Sequence, residues 1–383
     1  MANLIDYVCW RGDLTFAQDP PNAVDALVFS GLAYVHYGPL AQSHPGAAWT
    51  LKDAAEEFFG LENLESRVRV KNDLELLHEA ARSVRFGQCR LCMYRDRLIP
   101  QEETQFAAMT FLLDDGSMML SFRGTDSTLV GWKEDFNMTF QQTIPAQRLA
   151  QQYVREVAAS WGAPMRLCGH SKGGNLAVYA GAKSSQSLQK RILQVYNHDG
   201  PGFTQYMMED PGYLAMLARV ETYVPQSSVI GMLLEHEETF TVIRSNSVGI
   251  LQHDLYSWEL LGNRFVTVGD VTAGSHFLDT TIKTWFAQMT NQERNRLVDV
   301  MFNLLGTGGV DQAIEIWQPK NIHTYWKTLS ADPKMRQLLT TEFQGLLEAA
   351  KKAWTQMEQS RSEPEGEKEQ GNRLLLDFGR KLR

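Results

Sequence analysis

The stretch Met165-Arg-Leu-Cys-Gly-His-Ser-Lys-Gly-Gly-Asn-Leu-Ala-Val-Tyr-Ala180 constrains this chain most. It contains Gly169-His170-Ser171-Lys172-Gly173, a G-x-S-x-G pattern, which carries meaning only where it joins a strand to a helix. Met165 to Cys168 is a short, mostly apolar run of strand type. Asn175 to Ala182 carries Leu176, Ala177, Val178 and Ala180 without proline, as a buried helix does. The turn between them has to be sharp, and the glycines allow helix and strand to approach where a Cβ would clash. Ser171 then stands at a helix N-terminus, where backbone N–H groups stabilise a developing oxyanion. A glycine-rich turn opening an ordinary helix is the competing reading of the bare pattern. The strand before it and the helix after it favour a catalytic serine.

The chain has 383 residues, enough for one large α/β domain or two smaller ones. A hydrophobic fraction of 43% and a charged fraction of 21% are those of an ordinary globular protein. The net charge of −8 argues against nucleic acid as a partner. The opening residues lack a basic stretch and are broken by Asp6 and Arg11, unlike a signal peptide. No apolar run approaches the ~20 residues needed to cross a membrane, so stable membrane insertion is not expected and a cytoplasmic location is. Cys89 and Cys92 form a lone C-x-x-C without a second ligand pair. They read as structural residues on a strand through Phe86–Tyr94, with Cys168 in the core. No metal and no cofactor is expected.

Residues 1–100 read as a mostly helical part packed on the core. Helices are expected after Pro20-Pro21-Asn22, from Thr50 with Asp53, and around Leu74 to Ala81. The stretch around Ile5–Val8 reads as an extended arm. Residues 101–280 read as the catalytic core. Apolar runs 105–113 and 117–122 flank Asp114-Asp115-Gly116, a strong hairpin signal. Strands are expected at 165–168, 192–197, 220–224 and 240–243, and a helix runs through Leu149, Tyr153, Val157 and Trp161. A hairpin followed by alternating strands and helices implies an α/β fold with a mainly parallel sheet, whose function gathers at the carboxyl ends of the strands. Residues 281–359 read as a helical C-terminal region. It opens with a capping box at Thr290 and Glu293, and a later stripe through Met335, Leu339, Phe343, Leu346, Ala350, Trp354 and Met357 is expected to pack on a core. Residues 360–383 read as a disordered tail with a basic end.

A serine nucleophile needs a base, and the base needs an orienting acid. His253, in a loop after the last strand, is the first choice as base, with His198 and His236 as alternatives. Asp199 ends the strand after the elbow helix and is the first choice as acid, with Glu235, Glu237 and Asp254 as alternatives. The oxyanion donors are expected from the backbone of Lys172 and from Thr125, through its N–H and possible use of its hydroxyl, with Asp126 as the neighbour to check. Arg123 and Asp135 suggest an ion pair shaping that loop. Phe203, Tyr206, Met207, Met208, Tyr213 and Met216, with Val229, Ile230, Met232, Leu233 and Leu234, are candidate apolar walls of an acyl pocket, core packing being the competing reading for half of them, and Pro211-Gly212 is a candidate lid hinge.

Ser121-Phe-Arg-Gly-Thr-Asp126, Trp132 with Asp135, and Gly-His-Ser-Lys-Gly-Gly-Asn-Leu-Ala together resemble the class 3 (fungal-type) lipases of the α/β-hydrolase superfamily. The resemblance implies that Thr125 contributes to an oxyanion hole and that Ser171 is the nucleophile. Asp6-Tyr-Val-Cys-Trp-Arg-Gly-Asp13, the Asp-Gly-Pro-Gly-Phe203 segment and Gln252-His-Asp254 further resemble a bacterial lipase-like family known mainly as a domain of unknown function. In the class 3 lipases the acid follows the next strand, in an Asp-x-Val-Pro-type turn. Here that stretch is Tyr223-Val-Pro-Gln-Ser-Ser-Val-Ile-Gly231, without a carboxylate. The expected activity is hydrolysis of small-molecule carboxylic esters with small or medium acyl chains through an acyl-serine. An acyltransferase and a non-catalytic binding protein are the alternatives.

Overall fold

A computed structural model describes residues 1–362 apart from 44, 45, 47, 127, 308, 311–314 and 317. Most of the expected tail therefore lies outside the described residues. Eight strands form one sheet and stand side by side in chain order: β1 (Trp49–Thr50), β2 (Arg90–Ile99), β3 (Thr104–Leu112), β4 (Met118–Phe122), β5 (Met165–His170), β6 (Ile192–His198), β7 (Val220–Pro225) and β8 (Phe240–Ile243). β9 (Leu260–Leu261) and β10 (Arg264–Phe265) make a separate ribbon. Pairing is antiparallel from β1 to β4 and parallel from β4 to β8. The change of sense follows from the connections. β3 and β4 are joined by a tight turn in which Gly116 has φ +80° and Asp115 Oδ1 accepts from the Ser117 N–H. The links from β4 to β7 carry helices, and a strand returning after a helix lies parallel; β7 and β8, also parallel, are joined by residues 226–239 without a helix.

The helices before the hairpin are α1 (Leu4–Arg11), α2 (Ala23–Leu32), α3 (Gly38–Ser43), α4 (Leu51–Phe59), α5 (Asn72–Arg82) and α6 (Val84–Gly87). Within the sheet region follow α7 (Leu129–Asn137), α8 (Pro145–Ser160), α9 (Lys172–Ala182), α10 (Gln186–Gln189), α11 (Gln205–Met208) and α12 (Pro211–Met216). The C-terminal helices are α13 (Ala273–Ala287), α14 (Asn291–Leu305), α15 (Pro319–Ala331) and α16 (Pro333–Ser362), so α13 straddles the boundary expected at residue 280. Among the described residues no helix is long and apolar enough to cross a membrane. The whole is an α/β-hydrolase-type fold, a mainly parallel sheet flanked by helices.

Strand side chains alternate between faces, and the two faces are separately clothed. Met109, Phe111, Met119, Cys168 and Tyr196 join the N-terminal helices in one core. Phe106, Ala108, Leu120, Phe122, Leu167 and Val195 join residues of α8, α9 and α12 in the other. A third cluster ties Leu129 and Phe140 to Val298, Phe302 and Tyr325 of the C-terminal helices.

Several expectations change. Ile5–Val8 is not an extended arm but the first turns of α1, because Asn3 and Asp6 form a capping box. The strand holding Cys92 begins only at Arg90. Phe86 and Gly87 close α6, which Ser83 caps. Burial pushes the Cys92 thiol up to about 11 and that of Cys168 to about 12, so neither is a nucleophile at neutral pH. The stripe on α16 is only partly in phase with its packing, for Met335 and Leu339 pack against the third cluster while its later part turns away. Ala349 and Ala353 are buried, whereas Phe343 and Trp354 are 61% and 50% exposed. Small residues face inward because α16 lies close to α13, with Phe277 and Trp354 meeting edge to face at its margin.

The N-terminal helices are tied together by a buried ion pair. Arg85 grips Asp25 through Nε–Oδ1 at 2.7 Å and Nη2–Oδ2 at 2.6 Å, and both side chains are fully buried. Tyr7 Oη donates to Asp25 Oδ1, and Arg85 Nη1 donates to the carbonyls of Leu14, Thr15 and Asp19. Removing one partner strands the other charge in a low-dielectric interior. We expect Asp25→Ala to lower the unfolding free energy by about 3–5 kcal/mol, read from urea denaturation. A loss below about 1 kcal/mol, the level of a surface pair, would contradict the account.

Candidate active site

The register of β5 and β6 pairs His170 with His198, so the residues that follow, Ser171 and Asp199, leave the sheet side by side. Both leave with positive φ, +59° at Ser171 and +52° at Asp199. For non-glycine residues this is strained backbone, and it gathers at functional sites. The turns are pinned by Ser171 N–H to His198 O at 2.9 Å and Asp199 N–H to Tyr223 O at 2.8 Å. Gly200 cannot be replaced at this crossing, because a Cβ there would sit 2.6 Å from Ser171 O.

Asp199 is completely buried, and both of its oxygens are engaged. Oδ1 accepts from Ser228 Oγ at 2.5 Å and from the Gly231 N–H at 3.1 Å. Oδ2 lies 2.6 Å from His253 Nδ1. Ser228 and Gly231 belong to the loop after β7, in the stretch up to Gly231 that lacks a carboxylate. That loop supplies two donors to a carboxylate standing one strand earlier. The bond from Nδ1–H leaves Nε2 of neutral His253 with its lone pair, and the imidazole keeps a quarter of its surface exposed.

The histidine loop is held from below. His253 closes a 3₁₀ turn, Gly249–His253, and its carbonyl accepts from His170 Nε2 at 2.8 Å. With Nε2 donating, His170 Nδ1 accepts the Tyr34 hydroxyl at 2.9 Å. Burial, and then the nearby His253, hold the His170 pKa well below its usual value, so it stays neutral in this chain of bonds. Asp254 pairs with Arg69 at 3.0 Å, which itself lies over the Tyr34 ring. The alternative bases are spoken for. His198 donates to Ala23 O, and burial takes its pKa down to about 4. His236 bonds Gly231 O and Glu238. Of the alternative acids, Asp254 faces Arg69 and Glu235 faces Lys283.

On the other side of Ser171 runs the loop after β4. A Cβ on Gly124 would lie 3.1 Å from Ser171 Cβ and 2.5 Å from His170 O, so glycine is required for the approach. The Thr125 hydroxyl donates to Asp135 at 2.6–2.7 Å, which leaves its backbone N–H, and not its hydroxyl, for a ligand. Lys172 is the first residue of α9, so its N–H has no acceptor inside the helix. Its side chain points into the protein, with Nζ bonded to Gln105 O, Gln105 Oε1 and Glu134 Oε2 at 3.1, 2.9 and 2.9 Å. The expected Arg123–Asp135 pair does not form. Arg123 instead grips Asp96 with two bonds of 2.9 Å, while Asp135 faces Thr125 and, at 3.7 Å, Lys172. Asp126 accepts from the Thr128 N–H and from Gln105 Nε2. Burial would raise the Asp96 carboxyl, but His36 and Arg123 outweigh it and hold it well below the usual range.

The expected apolar walls are mostly core. Phe203, Met207, Tyr213 and Met216 are buried in the cluster under α9, and α12 packs there instead of standing over an open pocket. Met232 packs with Val224 and Val242. A cavity of about 10 Å³ remains beside Met138, Phe203 and Leu234. Sequence reasoning missed Ser228, Gly231, Glu134, Gln105, Tyr34 and Arg69. The lack of a carboxylate from Tyr223 to Gly231, beside the polar pair Ser227-Ser228, is the one signal that points to two of them.

A serine at a strained strand–turn–helix elbow, set in this sheet, is the arrangement of an α/β-hydrolase-type fold. The Mbeg1-like family profile matches residues 80–303, more than half of the chain, and the chain belongs to that family. No curated protein matches it. Among solved structures it is similar to the lipase in a native propeptide complex from Rhizomucor miehei, with 14% identity, a TM-score of 0.39, and coverage of 63% of this chain and 80% of that one. It is also similar to M37 lipase, with 11% identity, a TM-score of 0.35, and coverage of 80% of this chain and 99% of that one.

Asp135 provides a test of the loop electrostatics. Burial raises its carboxyl to about 6, against the pull of Lys172 and the Thr125 hydroxyl. A carboxyl with a raised folded-state pKa favours the folded state most below its unfolded value, ~3.9. That contribution is lost as pH rises through about 6. The stability of wild type relative to Asp135→Asn should therefore fall between pH 4 and pH 6. Urea midpoints at a series of pH values read it, and a flat difference would refute the assignment.

Proposed function

We propose that the protein is a serine hydrolase of carboxylic esters, cleaving small or medium acyl chains through an acyl-serine. The observation that carries this reading is the His253–Asp199 bond of 2.6 Å, made by a carboxylate whose other oxygen is already held by Ser228 and Gly231, next to Ser171 at the elbow. In the proposed roles, His253 Nε2 takes the Ser171 proton as Oγ attacks the ester carbonyl. Asp199 fixes the tautomer and stabilises the imidazolium that forms. The Lys172 and Thr125 backbone N–H groups receive the oxyanion. His253 then returns the proton to the departing alcohol, and water reverses the sequence on the acyl-serine.

The preference for short acyl groups is supported by the packing. The apolar side chains that follow β6 fill the core, and the cavity of about 10 Å³ beside Phe203 has room for a single water at most. The partner is then a small-molecule ester. The reading needs no cofactor or metal, because a buried carboxylate and a neutral imidazole supply the proton transfers.

Hydrolysis of a p-nitrophenyl ester series tests it. Wild type should favour acetyl to butyryl esters over long chains. Ser171→Ala and His253→Ala should lose roughly 10⁴-fold or more in kcat, and Asp199→Asn roughly 10²–10⁴-fold. A fluorophosphonate should label wild type and not Ser171→Ala. Equal rates for wild type and Ser171→Ala would rule the mechanism out. Labelling of Ser171 without turnover, together with product formation only when an alcohol acceptor is added, would make it an acyltransferase.

A further inference from the structure

Residues 226–239 join β7 to β8 without a helix or strand. Such a segment keeps its shape only through bonds to its surroundings. It nevertheless supplies both donors to Asp199 Oδ1, Ser228 Oγ and the Gly231 N–H. Each donor has its own anchor. The Ser228 carbonyl accepts from Ser275 Oγ of α13. Gly231 is gripped on both sides. Its N–H lies 3.1 Å from Asp199 Oδ1 and 3.0 Å from Ser228 Oγ, and its carbonyl accepts from His236 Nε2 at 2.8 Å. The fit is close, since a Cβ on Gly231 would lie 2.2 Å from Asp199 Oδ1 and 2.8 Å from Val224 Cγ1.

His236 is held in turn. Its Nδ1 lies 3.1 Å from Glu238 Oε1, and the two side chains are 7% and 2% exposed. Glu238 Oε1 also accepts from Thr222 Oγ1 of β7 at 2.8 Å, and Oε2 accepts from Tyr213 Oη of α12. Both ring nitrogens of His236 therefore face acceptors, a carboxylate and a carbonyl. Only an imidazolium, which donates from both, satisfies the two together. Burial raises the Glu238 carboxyl, but the His236 bond outweighs it and brings it down to about 2, as an ion pair requires. A charged donor makes a stronger bond than a neutral one, so the imidazolium holds the Gly231 carbonyl more firmly than a neutral ring would.

We propose that His236 is a positioning residue for Asp199: backed by Glu238, it fixes Gly231, and through Gly231 the direction in which Asp199 Oδ2 meets His253. The proposal rests on the serine-hydrolase reading and gives that site a second histidine–carboxylate pair with a different task. The Asp199–His253 pair serves the reaction, and the Glu238–His236 pair keeps it aligned. A misplacement of ~1 Å remote from the reacting atoms costs on the order of 10²-fold in rate.

Two amides separate the two bonds of His236. The Gln side chain places its Nε2 where the imidazole Nε2 stands, and Asn places its Nδ2 near the imidazole Nδ1. His236→Gln therefore keeps a donor for Gly231, and His236→Asn keeps one for Glu238 alone. The measured quantities are kcat and KM for p-nitrophenyl butyrate, with active sites counted by fluorophosphonate titration. His236→Asn should lose roughly tenfold or more in kcat with KM within about twofold, whereas His236→Gln should stay within about threefold of wild type. In an Asp199→Asn background the His236→Asn loss should shrink below about twofold, because the carboxylate it aligns is gone. The His253 Nδ1–H proton, a downfield NMR signal that His253→Ala abolishes, reads the alignment without turnover. It should shift or vanish in His236→Asn and persist in His236→Gln. Fewer active sites with kcat per site unchanged, equal losses in the two variants, or a loss undiminished in Asp199→Asn would overturn the proposal and leave the hydrolase reading standing. If wild type hydrolyses no ester and Ser171 takes no label, the hydrolase reading fails, and an unchanged proton signal in His236→Asn would overturn the positioning role as well.

Discussion

Asp199 is the constraint on which the site depends. It is a carboxylate with no access to water, and such a group persists as an anion only where donors replace its hydration. Three do so: Ser228 Oγ, the Gly231 N–H and His253 Nδ1. They come from two loops at opposite ends of a stretch of more than twenty residues. The carboxylate therefore ties together segments that are distant in the chain. It closes the loop after β7 onto the sheet and fixes one tautomer of His253. The positive φ at Asp199 is the cost of turning the carboxylate toward them.

A second set of buried charges holds the loop after β4. Lys172 and Glu134 form a fully buried pair whose remaining valences go to Gln105 and to the Ala146 N–H. Because Lys172 is also the first residue of α9, the ion pair anchors the helix end where the elbow serine stands. Arg123, paired with Asp96 on β2, secures the loop from the other side. Gly124 and Thr125 are thus held between two charge pairs beside Ser171. In the proposed mechanism, donors held in place would stabilise a developing charge without reorganising.

Much of this was legible from local pattern. The hairpin at Asp115-Gly116, the helix caps at Thr50 and Thr290, and the strands at 192 and 220 follow from turn chemistry and periodicity. The elbow was readable because its glycines and serine stand in sequence. Other features were hidden, for identifiable reasons. The α1 helix is short and its apolar residues face a core built by distant helices, so its capping box was the better signal. The stripe on α16 held for Met335 and Leu339 and failed further on, where Ala349 and Ala353 are buried and Phe343 is exposed. The residues after Asp199 looked like pocket walls because apolar side chains carry no mark distinguishing a ligand surface from a core.

The sequence by itself determined an α/β fold, a serine at a strand–helix elbow, and a small set of histidines and carboxylates from which its partners would come. Only the tertiary structure shows which of them meet, His253 with Asp199. His198 and His236 differ from His253 in what surrounds them, and Asp199 differs from Asp254 in which loop folds over it. The reason is physical. A strand or a turn is specified by neighbours in the chain, whereas the direction of a buried side chain and the charge it faces are set by residues tens to hundreds of positions away. Ser228 reaching back to Asp199, and Gln105 and Glu134 meeting at Lys172, leave no local trace in the amino-acid order.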